Sequence, residues 1–322
     1  MEYKTFGKSD QQVSRLGYGA WGIGKHMWMG ADDKQSLKTL HLAIDKGITL
    51  FDSAYVYGRG HSEQLLGRAE RESRQTLFLT SKIPSKKFEW PAKKESTLKE
   101  SFPADHIIEM TEKSLRNFRR DYIDLQQFHV WNDEWAHQDE WKEAILKLKE
   151  QGKVRFFGIS INDHQPTNGI EAGKTGLIDS FQVIFNLFDQ SPADELFPFC
   201  LENNISIIAR VPFDEGALTG AIRPGTEFPE GDWRHNYFKD DRKEQVWERV
   251  QKIEQDIDGC CENVAEAALR YCLSFEAVTS VIPGMRREKN LLANLSAAEK
   301  EALPGDILEK MKNHRWVRNF YH

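Results

Sequence analysis

The chain has 322 residues, with 44 Lys+Arg against 50 Asp+Glu, a formal charge of −6, and 29% charged residues. A balance this close to neutral, with no basic block, excludes a general nucleic-acid binder. Hydrophobic residues make up 39%, yet no apolar run approaches the ~18 residues of a membrane helix, and the opening MEYKTFGKSD lacks a signal peptide's apolar stretch. A soluble, cytoplasmic protein with no membrane role is expected. Cys200, Cys260, Cys261 and Cys272 contain no C-x-x-C, so they read as reduced thiols rather than metal ligands or a disulfide framework.

In chain order, KTFGKSDQQVSRLG predicts a short hairpin around Gly7–Asp10, placed to plug the bottom of a barrel. Short apolar runs follow at SRLGYGA (14–20), ITLFDSA (48–54), TLFLTSK (76–82), IDLQQFH (123–129), VRFFGIS (154–160), DSFQVIF (179–185), ISIIAR (205–210) and VTSVIP (278–283). Helical stripes lie between them: Leu37, Leu40 and Ile44; Ile108, Thr111, Leu115 and Phe118; Trp141, Ile145 and Leu148. Gly47 and Gly152 fall at helix C-caps, and Asp105 at an N-cap. Continuous apolar strands alternating with helices imply a parallel sheet covered on both faces. Eight such repeats predict an α/β protein, a closed (β/α)8 TIM barrel with an N-terminal β-hairpin, extra helices and long loops, forming one domain over residues 1–322. The stretch Gly216–Asp241 is too long for an ordinary connection, and within it GDWRHNYF (231–238) reads as a lid over the site.

Gly17-Tyr-Gly19-Ala-Trp-Gly22 fits G-x-G-x-x-G, the fingerprint of open dinucleotide-binding sheets. That fingerprint needs a helix beginning inside it. Here IGKHMWMGADD intervenes before helical periodicity starts, so the barrel reading stands.

Chemistry in a (β/α)8 barrel belongs to the C-terminal strand ends and the loops after them. Those positions carry Asp52, then Tyr57, Lys82, His129, Ser160 with Asn162, Gln182, Arg210 and Arg286. Asp, Lys and His ending successive strands are hard to explain as helix caps. Converged, Tyr57, Lys82, Asp52 and His129 form a proton donor for a carbonyl oxygen. Lys82 is expected to lower the phenol's pKa, Asp52 to hold Lys82 protonated, and His129 to bond the substrate oxygen. None of them is an electron source, so hydride must come from a bound cofactor.

The segments GITLFDSAYVYGRGHSEQLLG (47–67), LTSK (79–82), DYIDLQQFH (121–129), GISIN (158–162), FQVIFN (181–186) and IPGMRREKNLLANL (282–295) together resemble the successive signatures of the aldo-keto reductase family. The resemblance covers nearly the whole chain in order, and D-S-A-x-x-Y-G-x-G-x-S-E is its most specific part. It implies a catalytic tetrad of Asp52, Tyr57, Lys82 and His129, with Tyr57 as general acid in reduction and base in oxidation. It further implies that Ser160, Asn162 and Gln182 hold a nicotinamide carboxamide, with Arg210, Val211 and Phe213 beside the cofactor and the last two along its pyrophosphate. Gly284, Arg286, Asn290 and Asn294 are implied around the adenosine and its 2′-phosphate. Independently, a helix starting near Arg287 would aim N–H groups at a phosphate, with Arg286, Arg287 and Lys289 adding charge. The expected cofactor is NADP (NADPH), with NAD left open.

Two departures from the family pattern matter. Arg210 stands where an aromatic residue usually stacks on the nicotinamide, adding positive charge beside a ring that becomes cationic on oxidation. Asn290 replaces a longer Gln or Arg. Trp21, Trp28, Tyr55, Trp90, Trp131 and Trp233 occupy loop positions suited to carbonyl compounds or to the apolar faces of sugars. The expected function is an NADP-dependent oxidoreductase acting on an aldehyde, ketone or sugar, without metal. Its rivals are a Schiff-base aldolase using Lys82 and a cofactor-binding, redox-sensing regulatory subunit. Oligomeric state is not legible.

Overall fold

The computed structural model describes residues 1–25 and 28–321; His26 and Met27, within the IGKHMWMGADD stretch, lie outside the described residues. Strands β1 (Tyr3–Thr5) and β2 (Gln12–Ser14) pair antiparallel. The Phe6 N–H donates to Gln11 O at 2.8 Å across the predicted hairpin. The barrel strands are β3 (Tyr18–Gly19), β4 (Leu50–Asp52), β5 (Phe78–Ile83), β6 (Ile123–Phe128), β7 (Val154–Ser160), β8 (Ser180–Ile184), β9 (Ser206–Arg210) and β10 (Val278–Val281). Each pairs parallel with the next in chain order. Parallel bridges Leu16↔Val281 and Gly19↔Gly284 then join the β3 edge to the β10 edge and close the ring. All eight strands fall within or one residue beyond the predicted apolar runs.

The helices are α1 (Asp33–Asp45), α2 (His61–Ser73), α3 (Leu98–Ser101), α4 (Ala104–Phe118), α5 (Glu140–Glu150), α6 (Ile170–Lys174), α7 (Leu196–Asn203), α8 (Trp233–Tyr237), α9 (Arg242–Asp256), α10 (Val264–Leu273), α11 (Glu288–Ala298) and α12 (Gly305–Lys312). The stripes predicted on α1 and α5 are buried against the strands. On α4, Ile107 is fully buried and Ile108 only half-buried. Asp105 is not the cap of α4. Pro103 takes that place with φ −62°, a value its ring imposes, and Asp105 sits in the first turn with its carboxylate accepting from the His106 N–H at 2.8 Å. Gly47 and Gly152 have φ of +86° and +69°, as left-handed helix ends require.

The false dinucleotide fingerprint has a packing explanation. A Cβ on Gly19 would lie 2.6 Å from Ile282 O, so this glycine lets β3 approach β10 at the closure. No α-helix begins within the motif; only a short 3-10 turn, Trp21–Ile23, starts at its end.

Alternation along the strands explains where the polar row goes. Side chains two apart share a face, so the inward series runs Leu50–Asp52, Phe78–Thr80–Lys82, Leu125–Gln127–His129, Phe156–Gly158–Ser160, Ser180–Gln182 and Ile208–Arg210. Most of these series begin with an apolar residue. Leu50, Phe78, Leu125 and Ile208 join Phe6, Val13 and Ile282 in one buried cluster, with Phe156 against it. The hairpin's Phe6 ring lies 4.8 Å from Phe78 and 5.2 Å from Phe156. That floor is sealed. The other end of each series is polar and faces the mouth.

Candidate active site

Lys82 lies in the middle of the polar layer with no exposed surface, and its Nζ has three partners: Asp52 Oδ2 at 2.6 Å, Ser53 O at 2.7 Å and Tyr57 Oη at 3.5 Å. An ammonium has three hydrogens, and all are engaged. Burial pulls the Lys82 pKa down while Asp52 pulls it back. Asp52 is held in turn on Oδ1 by Thr80 Oγ1 at 2.6 Å and by Gln182 Nε2 at 2.7 Å. The Gln182 amide nitrogen is therefore committed to the carboxylate. The lone pair that a Schiff-base aldolase needs on Lys82 is absent from this arrangement.

Tyr57 reaches the site from the loop after β4, where its N–H donates to Ala54 O at 3.0 Å. Ser53 and Ser62 share a hydrogen bond at 2.9 Å, and Ser62 Oγ donates to Ala20 O at 3.0 Å, pinning this loop to the strand before it. Glu63 anchors α2 by accepting from Ser81 and, at 2.6 Å, from Asn117. The serines and the glutamate of the most specific motif thus position the tyrosine. The phenol pKa is raised, not lowered. Burial is the main cause, and the Asp52 carboxylate adds to it against the opposing pull of Arg210. The Lys82–Asp52 pair leaves the rise in place, since the Asp52 carboxylate itself raises the phenol pKa. His129 is buried beside the Tyr57 ring at 6.0 Å. Burial, with Lys82 and Arg210, holds its pKa well below the ordinary value, so the imidazole is neutral.

Arg210 does not stand as a bare charge. Its Nη2 donates to Asp163 Oδ1 at 2.7 Å and to Ile161 O at 3.1 Å. Burial opposes the guanidinium charge, but Asp163 together with Tyr321 and Tyr57 outweighs it and the pKa is raised. Asp163 also accepts from Trp90 Nε1 at 2.8 Å.

The rings around the mouth close into a circuit. Trp21 stacks on Tyr57 (6.1 Å), Tyr57 meets His129 (6.0 Å), and His129 meets Trp90 (4.7 Å). Trp90 bonds Asp163, whose neighbour His164 lies 5.8 Å from Tyr321; Tyr321 stacks on Trp233 (5.9 Å), and Trp233 returns to Trp21 (6.3 Å). Helix α8 of the long loop therefore lies over the mouth through Trp233. Trp131 does not belong to this rim; it is fully buried among Phe128, Trp135 and Trp141. The C-terminal segment was not anticipated here. Arg318 pairs with Asp214 at 2.5 Å, and the Tyr321 hydroxyl donates to Glu215 Oε1 at 2.9 Å. Burial pushes the Glu215 carboxyl up to about 7.

Several polar atoms are buried without a partner among the described residues, including Ser160 Oγ and Asn294 Nδ2. Asn162 is engaged, with its Nδ2 donating to Trp131 O at 2.9 Å and its Oδ1 accepting from the Trp131 N–H at 3.2 Å. Val211 has φ +56°, an outlying value for a β-branched residue, and its carbonyl accepts from Asn186 Nδ2 at 3.0 Å. Phe213 is half-buried beyond it, ahead of Asp214 and Glu215, which share the left-handed conformation. Helix α11 begins just after Arg287, as its sequence predicted. Gly284 and Asn290 are exposed near its start. Arg286 Nη1 donates to Met29 O at 2.8 Å, and burial with the nearby cations Arg287 and Arg234 lowers its pKa. Arg286 and Arg287 thus stand together at a helix N-terminus, with Asp232 partly offsetting the charge on Arg286.

The sequence profile of the Aldo/keto reductase family matches residues 15–315. The chain belongs to the aldo/keto reductase family. It is 30% identical over 300 residues to an aldo-keto reductase of Bacillus subtilis, covering 91% of this chain and 87% of that protein. Among solved structures it resembles a glycerol dehydrogenase from Gluconobacter oxydans, with TM-score 0.81 and 27% identity over 97% of this chain and 94% of that one. It also resembles an aldo-keto reductase from Bacillus halodurans in its holo form, with TM-score 0.77 and 25% identity over the whole of both chains. Members of this family are oxidoreductases of carbonyl and sugar substrates that use nicotinamide cofactors.

Proposed function

We propose that this aldo-keto reductase interconverts carbonyl and alcohol groups with NADP(H), Tyr57 exchanging the proton. The observation that carries the reading is the buried Asp52–Lys82 pair with Tyr57 Oη 3.5 Å from Lys82 Nζ. Reduction of a carbonyl adds hydride to carbon and a proton to oxygen. The nicotinamide supplies the hydride when bound. A phenol whose pKa is pushed up by burial arrives protonated at neutral pH, so Tyr57 acts as the acid. His129, neutral, offers an N–H to the same oxygen without titrating. The phenolate left behind faces the Lys82 ammonium, whose charge Asp52 and Ser53 O hold in place. In the reverse direction Tyr57 must first lose its proton, which the same burial opposes.

The residues fit a nicotinamide dinucleotide. The unpartnered Ser160 Oγ beside the tetrad, with Asn162, suits the carboxamide, and Gln182 acts through Asp52. Arg210, its charge offset by Asp163, would flank the ring. Val211 and Phe213 would offer backbone to the pyrophosphate. Gly284, Arg286, Asn290 and the unpartnered Asn294 Nδ2 would hold the adenosine, with Arg286 and Arg287 serving the 2′-phosphate.

The test is Tyr57→Phe, assayed with aldehydes, ketones and sugars by reduced-nicotinamide absorbance. Turnover should fall at least about 10²-fold while NADPH affinity, read by fluorescence titration, stays nearly constant. Wild-type-like turnover by this variant refutes the proton role; a wild type that reduces no carbonyl with either cofactor refutes the activity.

A further inference from the structure

We propose that the adjacent thiols Cys260 and Cys261 form a binding site for trivalent arsenicals, in which one arsenic atom bridges both sulfurs. The pair lies in the turn between α9 and α10, and the mechanism above uses neither residue. Cys261 Sγ stands 3.8 Å from Cys260 Sγ. Both are half-buried, among the exposed residues Asp258, Gly259, Glu262 and Asn263, whereas Cys200 and Cys272 are buried. The turn holds them in place: the Cys260 and Cys261 N–H groups both donate to Ile257 O, at 2.9 and 3.1 Å. Arg270 Nη1 adds a bond to Cys260 O at 3.1 Å and another to Cys261 Sγ at 3.3 Å. The two sulfurs are thus brought together by the backbone before any ligand arrives.

Three chemistries compete for such a pair, and the geometry separates them. The peptide between the two residues is trans, which places their Cα atoms ~3.8 Å apart, short of the ~4.4 Å at which disulfides become unstrained. Direct S–S closure is therefore disfavoured. A divalent metal in a thiolate site wants about four ligands. Glu266, the carboxylate on the same guanidinium, is already held by Arg270 at 2.9 Å and Lys300 at 2.7 Å, and the Arg270 charge beside the sulfur repels a dication. No group of three or more His, Cys, Asp and Glu placed to hold a metal ion gathers among the described residues. Trivalent arsenic asks less: it takes the two sulfurs, keeps its organic substituent as the third, and is neutral when bound. Sulfurs held on one centre at ~2.3 Å stand roughly 3.5–3.8 Å apart, close to the spacing in this turn. Burial, helped by Cys260 and opposed by Arg270, pushes the Cys261 thiol up to about 12, which disfavours reagents that need a free thiolate. An arsenic oxide brings its own proton acceptor. Two As–S bonds form as arsenic releases its oxygen, both thiol protons leave with that oxygen as water, and no electrons are exchanged.

The test treats the full chain with an equimolar amount of phenylarsine oxide and reads intact mass, then maps the arsenic by peptide. Wild type should take up one phenylarsenic unit, on the peptide that carries both cysteines. Excess mercaptoethanol, a monothiol, should leave it in place, and dithiothreitol, a dithiol, should remove it. Cys260→Ser and Cys261→Ser should each weaken binding at least about 100-fold, because either loses the second, intramolecular bond. Thermal melts check that the variants are folded, and peptide mapping of the wild type decides without them. Arsenic found on Cys200 or Cys272, release by the monothiol as readily as by the dithiol, or undiminished affinity in either serine variant overturns the inference. So does loss of two hydrogens from the pair in air with no arsenic uptake, which would assign the turn to disulfide chemistry.

Discussion

Glu215 offers a quantitative check on the mouth's electrostatics. It is buried, its backbone is left-handed, and its carboxyl is raised from an ordinary 4.5 to about 7, first by burial and then by Asp214, against the Tyr321 hydrogen bond and Arg210. A carboxyl raised on folding favours the protonated native state. The cost of ionising it is absent well below the unfolded pKa, grows between 4.5 and about 7, and is complete above that. A shift of about 2.5 units corresponds to roughly 3 kcal/mol of lost stability at about pH 8.5, falling to about 1 kcal/mol at about pH 5. Glu215→Gln removes the titration and keeps an oxygen for the Tyr321 hydroxyl. Urea unfolding followed by tryptophan fluorescence should therefore find the variant more stable than wild type by about 2–3 kcal/mol at the higher pH, with most of the gain gone at the lower. An effect of equal size at both pH values, or a loss that grows with pH, would show that the carboxylate is compensated and that its burial is not the dominant influence.

Arg286→Ala should weaken NADPH binding about 10–100-fold, the range for a hydrogen bond to a charged group, and NADH binding about threefold or less; equal losses in fluorescence titration would exclude 2′-phosphate recognition. Gly67→Ala tests helix contact against helix propensity. Inside α2 alanine is intrinsically better by about 1 kcal/mol, but its Cβ would lie 2.1 Å from Phe118 O at the end of α4. Stability should fall by about 2 kcal/mol or more, and a rise in thermal midpoint would show that the two helices separate freely.

Strand periodicity explains why so much was legible. Leu50, Phe78, Leu125 and Ile208 mark the barrel floor, and counting by twos from them reaches Asp52, Lys82, His129 and Arg210 at the opposite end. Tyr57 was findable because its loop carries a dense motif, whose serines and glutamate prove to be struts. Pairings between distant loops were not legible. Nothing in the local sequence says that Asp163 will neutralise Arg210, that Gln182 will bond Asp52, or that Tyr321 will return from the chain's far end to Glu215. The phenol's pKa direction was missed because the Lys82 charge was counted, whereas the desolvation that raises it depends on three-dimensional enclosure and the Asp52 charge that adds to the rise was left out. The Asp105 cap failed on a smaller point, since proline two positions earlier already fixes the helix entry.

The bond from Gln182 to Asp52 spans 130 positions of chain and joins opposite walls of the cylinder. The carboxylate that orients the lysine is therefore steadied by a residue from the other half of the molecule. A nascent or truncated chain holding only the first strands would possess Asp52, Tyr57, Lys82 and His129 and still lack the cross-brace that aligns them. On the proposed mechanism, competence waits for the sixth barrel strand, which makes activity a reporter of whether β8 has docked across from β4.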